Sequence, residues 1–454
     1  MFPLRDTNLF MGPLLKHRTL LRPDNWRTLR MLPLLTAALV VAPVNSLNKT
    51  GGVQSSPAQT KSAGAYYTGY YPDLFATLLG KRKLDVKAKT DTAFHQLFFG
   101  DDRAERVYYP VGSDMAYIKD TGNDDVRTEG MSYGMMIAVQ MDRKDVFDRL
   151  WKWATTYMQF DTGPHKGYFG WHCGTDGTVL DSTAASDGEE WFVMSLFFAS
   201  ARWGNGEGIY HYRAEAQKIL NTMLHKESEP GHGAVTKMFN REQKLVAFVP
   251  AAQANHFTDP SYQVPHYYEL WARWADQDNQ FWCDAASASR RLLQNAADSL
   301  TGLSPDYAHF DGTPISPWRG GHDAFRFDAW RVAMNVAVDW VWFQKDPWEV
   351  MQSNRLLEFF HSQGIGTYGN QYTLDGRKLA DDHSPGLVSM NAVAALASTN
   401  QDRKEFVEEL WNTPIPTGRY RYYDGMLYML AMLQVGGNFR IYDPTGKAVP
   451  ACPE

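Results

Sequence analysis

Twelve stretches of this 454-residue chain carry apolar residues at helical spacing, and the links between them alternate between short and long. The spacing predicts helices over 83–99, 128–141, 144–159, 185–203, 210–225, 262–275, 278–299, 323–342, 347–362, 386–398, 401–412 and 422–435. Hardly any window alternates with the period of a strand, so the chain reads as all-α. Links that leave the even-numbered candidates are short, whereas those that enter them are mostly long and rich in Gly, Pro and aromatic residues. Helices joined by short links pack as antiparallel neighbours. Six hairpins in series, with the last helix free to pair with the first, predict a closed α/α toroid with every long loop on one face. The even-numbered stretches, such as "GMSYGMMIAV", "WFVMSLFFASA" and "GMLYMLAML", have little polar face to show water and belong in an inner ring. The odd-numbered ones, such as "KDVFDRLWKWATTYM", are amphipathic and fit an outer ring.

The N-terminus has a different character. Arg22, Arg27 and Arg30 precede the apolar run "MLPLLTAALVVAPV" (31–44), which resembles a secretory signal and is too short to span a bilayer comfortably. Residues 1–46 are therefore expected to be a signal-like segment and 47–66, rich in Gly, Ser, Thr and Ala, a flexible linker. The folded domain then occupies 67–454 and is secreted or periplasmic, or cytoplasmic if the apolar run is not a working signal. Cys173, Cys283 and Cys452 lie far apart without CxxC spacing, which indicates neither a disulfide framework nor a cysteine zinc site. A formal charge of −6 and a pI near 6.1 exclude general attraction to nucleic acid or to an anionic membrane. Fifteen Trp, 23 Tyr and 24 Phe exceed what packing needs, and flat amphipathic rings suit a groove for sugar.

Long loops meet the N-terminal ends of the inner helices, so chemistry is expected there. Glu129, in "RTEGMSYGMMIAV", follows Thr128, and a first-turn carboxylate is favoured by the helix dipole whether or not it reacts. Gly130, Ser132 and Gly134 weaken the helix and leave a bare surface beside the acid, where a ligand could come close. Asp187 opens the next inner helix in "SDGEEWF", with Ser186, Glu189 and Glu190 able to share any capping task. Asp328, in "FRFDAWRVAMNVAVDW", begins a polar stripe continued by Arg331, Asn335 and Asp339. A buried Asp328–Arg331 pair would explain the first two, but buried charge is costly and a wet cavity explains all four. Loops at the same end offer Tyr168, Phe169, Trp171, Tyr262, Tyr422 and Tyr423. Carboxylates with aromatics suit glycoside hydrolysis, in which one acid protonates the leaving oxygen and another activates water. The Gly-rich "GNGEG" follows a helix rather than a strand, HExxH and GxSxG are absent, and the His residues lack ligand spacing. No metal or other cofactor is expected. A sugar-binding protein without catalysis is the reading from a different class, and a metal-dependent toroid enzyme is disfavoured.

"TEGMSYGMM", "SDGEEWF", "DPSY" and "FRFDAWRVAMN", in this order and spacing, resemble glycoside hydrolase family 8 from about residue 70 to 440. The resemblance implies an (α/α)6 barrel and hydrolysis with inversion, Glu129 as general acid and Asp328 as general base. It also implies that Asp187 grips and distorts the sugar, while Trp171, Tyr262 and Arg331 line the groove, to which Tyr423 is added from the loop aromatics. "LFFASARWGNGEGIYHYRAEAQKIL" and "DPSYQVPHYYELWARWA" are most similar to the branch that releases xylose from the reducing end of β-1,4-xylo-oligosaccharides. Endo-acting xylanases, endoglucanases and chitosanases are the alternatives. In the exo branch a loop bearing His and Pro closes the groove one sugar past the scissile bond; here His383 and Pro385 stand in that place, separated by Ser384. A monomer acting on xylo-oligosaccharides, with no membrane partner in the mature form, is the resulting expectation.

Overall fold

Twelve helices follow one another from Lys83 to Val435. They are α1 (Lys83–Phe99), α2 (Thr128–Gln140), α3 (Lys144–Tyr157), α4 (Ser186–Trp203), α5 (Tyr212–His225), α6 (Pro265–Trp274), α7 (Asn279–Ala296), α8 (Trp330–Phe343), α9 (Trp348–Gln363), α10 (Pro385–Ala394), α11 (Arg403–Asn412) and α12 (Arg421–Val435). This computed structural model describes residues 63–227, 235–446 and 452, all within one compact unit, Lys61–Glu454. The signal-like segment and residues 47–62 of the expected linker lie outside the described residues. Ala65 and Tyr66, assigned above to the linker, fall in a short helix, Ala65–Thr68, with Ala65 buried.

All twelve expected helices are present, and their ends shift where other bonds compete for the backbone. α8 begins at Trp330 rather than 323 because the preceding residues pair elsewhere: Ala324 O accepts from Asp306 N, and Phe325 bridges to Tyr372. α6 and α10 each start on a proline, whose missing N–H and fixed φ suit the first helical position.

Helix contacts run in a circuit. α2 packs on α4, α6 on α8, α8 on α10, α10 on α12, and α12 back on α2. The α4–α6 step is made by Trp191 against Tyr267, ring centroids 5.4 Å apart, and by a Tyr268 hydroxyl that donates to Glu190. Each of these six helices also packs against an outer partner, α2 with α3, α4 with α5, α6 with α7, α8 with α9, α10 with α11, and α12 with α1. Burial follows the same division. Gly130–Gln140, Ser186–Ser200 and Pro265–Trp274 are buried without a gap, whereas α3 buries one stripe of Val146, Phe147, Leu150, Trp151, Trp153 and Ala154.

Short strands, which the sequence pattern did not reveal, brace the long loops in four antiparallel sheets. One of them joins Asp125–Arg127 to His172–Gly174 and Val179–Asp181, and so fixes the entrance to α2 against the loop that leads into α4. At two to four residues each, these strands are too short to display a period. A second correction concerns the cysteines: Cys283 on α7 is disulfide-bonded to Cys452, while Cys173 is free and buried. The partners are 169 residues apart, a pairing that only the fold can bring about. No helix among the described residues is long and apolar enough to cross a membrane.

Candidate active site

The N-terminal ends of the even-numbered helices carry the polar residues that converge on Arg331. This guanidinium is 2% exposed and sits in the first turn of α8. Its Nη1 donates to Glu129 Oε2 at 2.9 Å, Tyr133 OH at 2.8 Å and Asp187 Oδ2 at 3.1 Å. Its Nη2 donates to Asp328 Oδ1 at 3.0 Å and lies 3.8 Å from Asp259 Oδ2. One cation thus gathers acids from α2, α4 and the loops before α6 and α8, a task for which a rigid five-donor fork is suited.

Glu129 is not a cap. Arg127 holds the N-cap position of α2 and Thr128 the first helical one, with the Thr128 side chain packed where a Cβ on Gly188 would fall. The Thr128 amide instead donates to Trp171 O at 3.0 Å, which joins the loop of the expected groove residue to the start of the helix. Glu129 Oε1 accepts from Tyr422 OH at 2.8 Å. The glycine beside it serves this contact: a Cβ on Gly130 would stand 2.6 Å from the Tyr422 ring, and one on Gly134 would meet Ile118. The expected clearance for a ligand is therefore clearance for protein side chains.

Burial drives the Glu129 carboxyl up to about 7; Arg331 opposes the shift, Asp187 and Asp328 add to it, and the Tyr422 bond resists it. Asp187 is also raised, first by burial and then by Asp328, against the pull of Arg331. Its second oxygen accepts from the Gly188 amide at 2.9 Å, so both oxygens are engaged inside the protein. Asp259, fully buried, is raised well above the carboxylate range by burial and by Asp328. Among these acids Glu129 and Asp328 keep side-chain exposures of 18% and 32%, whereas Asp187 and Asp259 keep 5% and 0%. The first two present the more accessible carboxyls.

The remaining expected residues divide. Tyr262 lies flat behind Arg331, whose Cζ is 5.6 Å from its ring centre, and is buried against Phe248. Trp171 stacks on His172 with Arg127 over its face, half-buried beside the start of α2. The Tyr423 hydroxyl donates to Phe327 O at 2.8 Å and holds the residue before Asp328, within the field of Arg331, Asp328 and Glu129. Both ring nitrogens of His383 are taken, Nδ1 by Tyr368 O and Nε2 by Glu409 Oε1, each at 2.9 Å. The polar stripe of α8 is no groove below its first turn. Asn335 donates to Ser261 O and Gln263 O, and Asp339 is locked to Arg290 in a buried network with Glu269. Asp328 itself stands on the turn before the helix.

Tyr133, Asp259 and Asp306 are site residues that the sequence reading did not single out, and Tyr422, named there only among the loop aromatics, is the partner of Glu129. Tyr133 stands one helical turn after Glu129, a spacing that places both on one face of α2. Asp259 belongs to the quoted "DPSY", but a DP pair reads first as a turn. The described residues contain one group with metal-ligand spacing, His361, Asp402 and Glu405, on α9 and around the start of α11 rather than near Arg331.

Known proteins resemble this chain over most of its length. The sequence profile of Glycosyl hydrolases family 8 matches residues 112–437. The chain is 50% identical to the reducing-end xylose-releasing exo-oligoxylanase Rex8A of Paenibacillus barcinonensis, over 84% of this chain and 98% of that one. The structure of Rex8A complexed with xylose superposes with a TM-score of 0.80, covering 84% of this chain and 99% of that one. A reducing end xylose-releasing exo-oligoxylanase of Halalkalibacterium halodurans is 45% identical over 85% of this chain and 97% of its own length. A catalytic mutant of a family 8 xylanase from Teredinibacter turnerae, in complex with xylohexaose, superposes with a TM-score of 0.81 at 45% identity, covering 84% of this chain and 100% of that one.

Proposed function

The chain belongs to glycosyl hydrolases family 8, and on that footing we propose that it releases xylose from the reducing end of β-1,4-xylo-oligosaccharides, with inversion, on an (α/α)6 barrel. The observation that carries the proposal is that Glu129 and Asp328, the two acids with the more accessible side chains, occupy opposite arms of the Arg331 fork. The two contacts in series hold their nearest oxygens within about 8 Å of each other, compatible with the roughly 6.5–9.5 Å that leaves room for a water between acid and base.

Glu129, still protonated near neutral pH, donates its proton to the glycosidic oxygen as the bond to the anomeric carbon breaks. Water attacks that carbon from the opposite face, and Asp328 takes its proton. The products are xylose and a shortened oligosaccharide whose new reducing end has the inverted configuration. Arg331 orients both carboxyls, Asp187 and Tyr262 fix the sugar at the cleavage point, and Trp171 and Tyr423 wall the groove. His383, tied at both ring nitrogens, and Pro385 form a fixed wall that seats one sugar beyond the scissile bond. Gly386, next in sequence, donates to Asp424, the neighbour of Tyr423, and this supports placing the wall beside Asp328. A closed groove confines cleavage to one residue from the end.

The barrel rests on the circuit of inner helices, each backed by an outer partner. Export rests on the basic and apolar N-terminal segment and on the Cys283–Cys452 disulfide, which suits an oxidising compartment. The test compares xylotriose with its alditol-ended form while the product anomer is followed. Cleavage of only the unreduced sugar, with inversion, is expected; internal cuts on polymeric xylan reject exo action, and absence of any released sugar rejects catalysis.

A further inference from the structure

The turn that carries Asp328 is held by a second acid that the reaction described above does not use. Asp306 belongs to the long loop between α7 and α8 and is 4% exposed. Its backbone is held on two sides. The Asp306 and Tyr307 amides donate to Ala324 O and His322 O, and Ala308 exchanges both backbone bonds with Thr258, next to Asp259. The side chain is thereby aimed at the turn that starts α8. Oδ1 accepts from the amide of Ala329, the residue after Asp328, at 3.3 Å, and Oδ2 meets His322 Nδ1 at 3.2 Å. The imidazole in turn stacks on Tyr307, centroids 4.4 Å apart and planes 18° from parallel.

We propose that Asp306 and His322 form a positioning pair for the general base, holding the Asp328 turn by the Ala329 amide. This rests on the assignment of Asp328 made above. The loop residue Asp306 is the acceptor that fixes where the Asp328 carboxyl starts from, and a misplacement of about 1 Å at a reacting group can lower the rate about 100-fold. The groups that face Asp306 are His322 from its own loop, Asp328 from the turn, Asp259 from the loop before α6 and the Tyr307 hydroxyl. Burial and Asp328 raise the Asp306 carboxyl to about 6, and the His322 bond restrains it. Above that pH Asp306 is charged and accepts the Ala329 amide more strongly, in the range where Glu129 still holds its proton.

Four variants test the pair through kcat and KM on xylotriose. Asp306→Asn keeps an acceptor for the Ala329 amide but removes the charge, and should lower kcat a few-fold with KM within about two-fold of the wild type. His322→Ala, at a residue 20% exposed, should lower kcat likewise, and His322→Asn, which restores a donor, should bring it back. An unchanged kcat in both Asp306→Asn and His322→Ala overturns the pairing, as does a KM that rises as much as kcat falls. The fourth variant, Asp328→Asn, separates the two levels of the argument. Full activity in it removes the base assignment and the pair together, whereas an inactive Asp328→Asn alongside an unchanged kcat in the other variants removes the pair alone.

Discussion

Replacing Glu129 by Gln should abolish turnover and, above neutral pH, make the protein more stable. In the folded protein the Glu129 carboxyl lies at about 7 against an unperturbed 4.5. Below pH 4.5 folded and unfolded chains both hold this proton, and the site contributes its full stability. Between 4.5 and 7 the unfolded chain releases the proton while the folded one retains it, so stability falls as pH rises through that window. Above it the folded protein bears a buried charge that costs about 3 kcal/mol, since each tenfold change in proton affinity is worth roughly 1.4 kcal/mol. Gln carries no such charge, but its amide nitrogen cannot accept, so either Tyr422 OH or Arg331 Nη1 is left unmatched, for about 1–2 kcal/mol at every pH. The variant is therefore less stable than the wild type at pH 4.5 and more stable at pH 8, with the difference changing sign between. In a domain of this size the swing corresponds to about 3–5 °C in Tm. Thermal unfolding of both proteins at the two pH values measures it. A Tm difference that is the same at both refutes the raised carboxyl, and with it the physical basis for Glu129 as proton donor.

Gly130→Ala should lower kcat at least tenfold with unchanged circular dichroism, because the new methyl displaces the Tyr422 ring from Glu129; normal kinetics would remove Tyr422 from the site. Arg290→Met should lower stability by about 3–5 kcal/mol, since it strips the buried carboxylate of Asp339 of its cation and Glu269 of one of its three. Denaturation should detect this, and kcat should stay near normal wherever the protein is folded. Thiol titration of the denatured, unreduced protein should find one group, Cys173, and three after reduction; three before reduction would contradict the disulfide. Glu129→Asp should lose about 100-fold or more in kcat with little change in KM, because the carboxyl retreats by one methylene. Retention of more than a tenth of the rate counts against direct donation.

Helix positions were legible in the chain because the inner helices are apolar all round and the outer ones carry one stripe, patterns that survive without knowledge of the partners. The alternation of link lengths carried the pairing as well. The exceptions lie where tertiary bonds outbid local preference. Residues 324–329 have an apolar pattern that continues into α8, yet Phe325 pairs with Tyr372 and Ala329 is held by Asp306. Glu129, Asp187, Asp328 and Arg331 stood out in the sequence, because charge inside an apolar helix entrance needs a reason. Which aromatic touches which acid did not. Tyr422 and Tyr423 are adjacent and identical in type, and only the rotation of α12 sends one hydroxyl to Glu129 and the other to Phe327 O. Nor does spacing separate the functional head of the α8 stripe from its foot; Asp339 differs from Asp328 only in having Arg290 as a buried neighbour.

The N-terminal position of Glu129 works against its proposed chemistry, since a helix start favours the ionised acid by about 0.3–1 kcal/mol, up to about 2 in partly buried geometries. Asp187 shows why the position is used all the same. Each acid is the second residue of an inner helix, the two helices are neighbours in the circuit, and both carboxyls are raised by burial. Helix position therefore does not decide which of them gives up a proton. Reach does. The shorter Asp187 folds back onto the Gly188 amide and Arg331, and 5% of its side chain remains exposed. The extra methylene of Glu129 carries its carboxyl past the helix end to 18% exposure while Tyr422 and Arg331 still hold it. Desolvation raises both acids by more than the dipole opposes, and the longer side chain alone can bring the retained proton to a substrate.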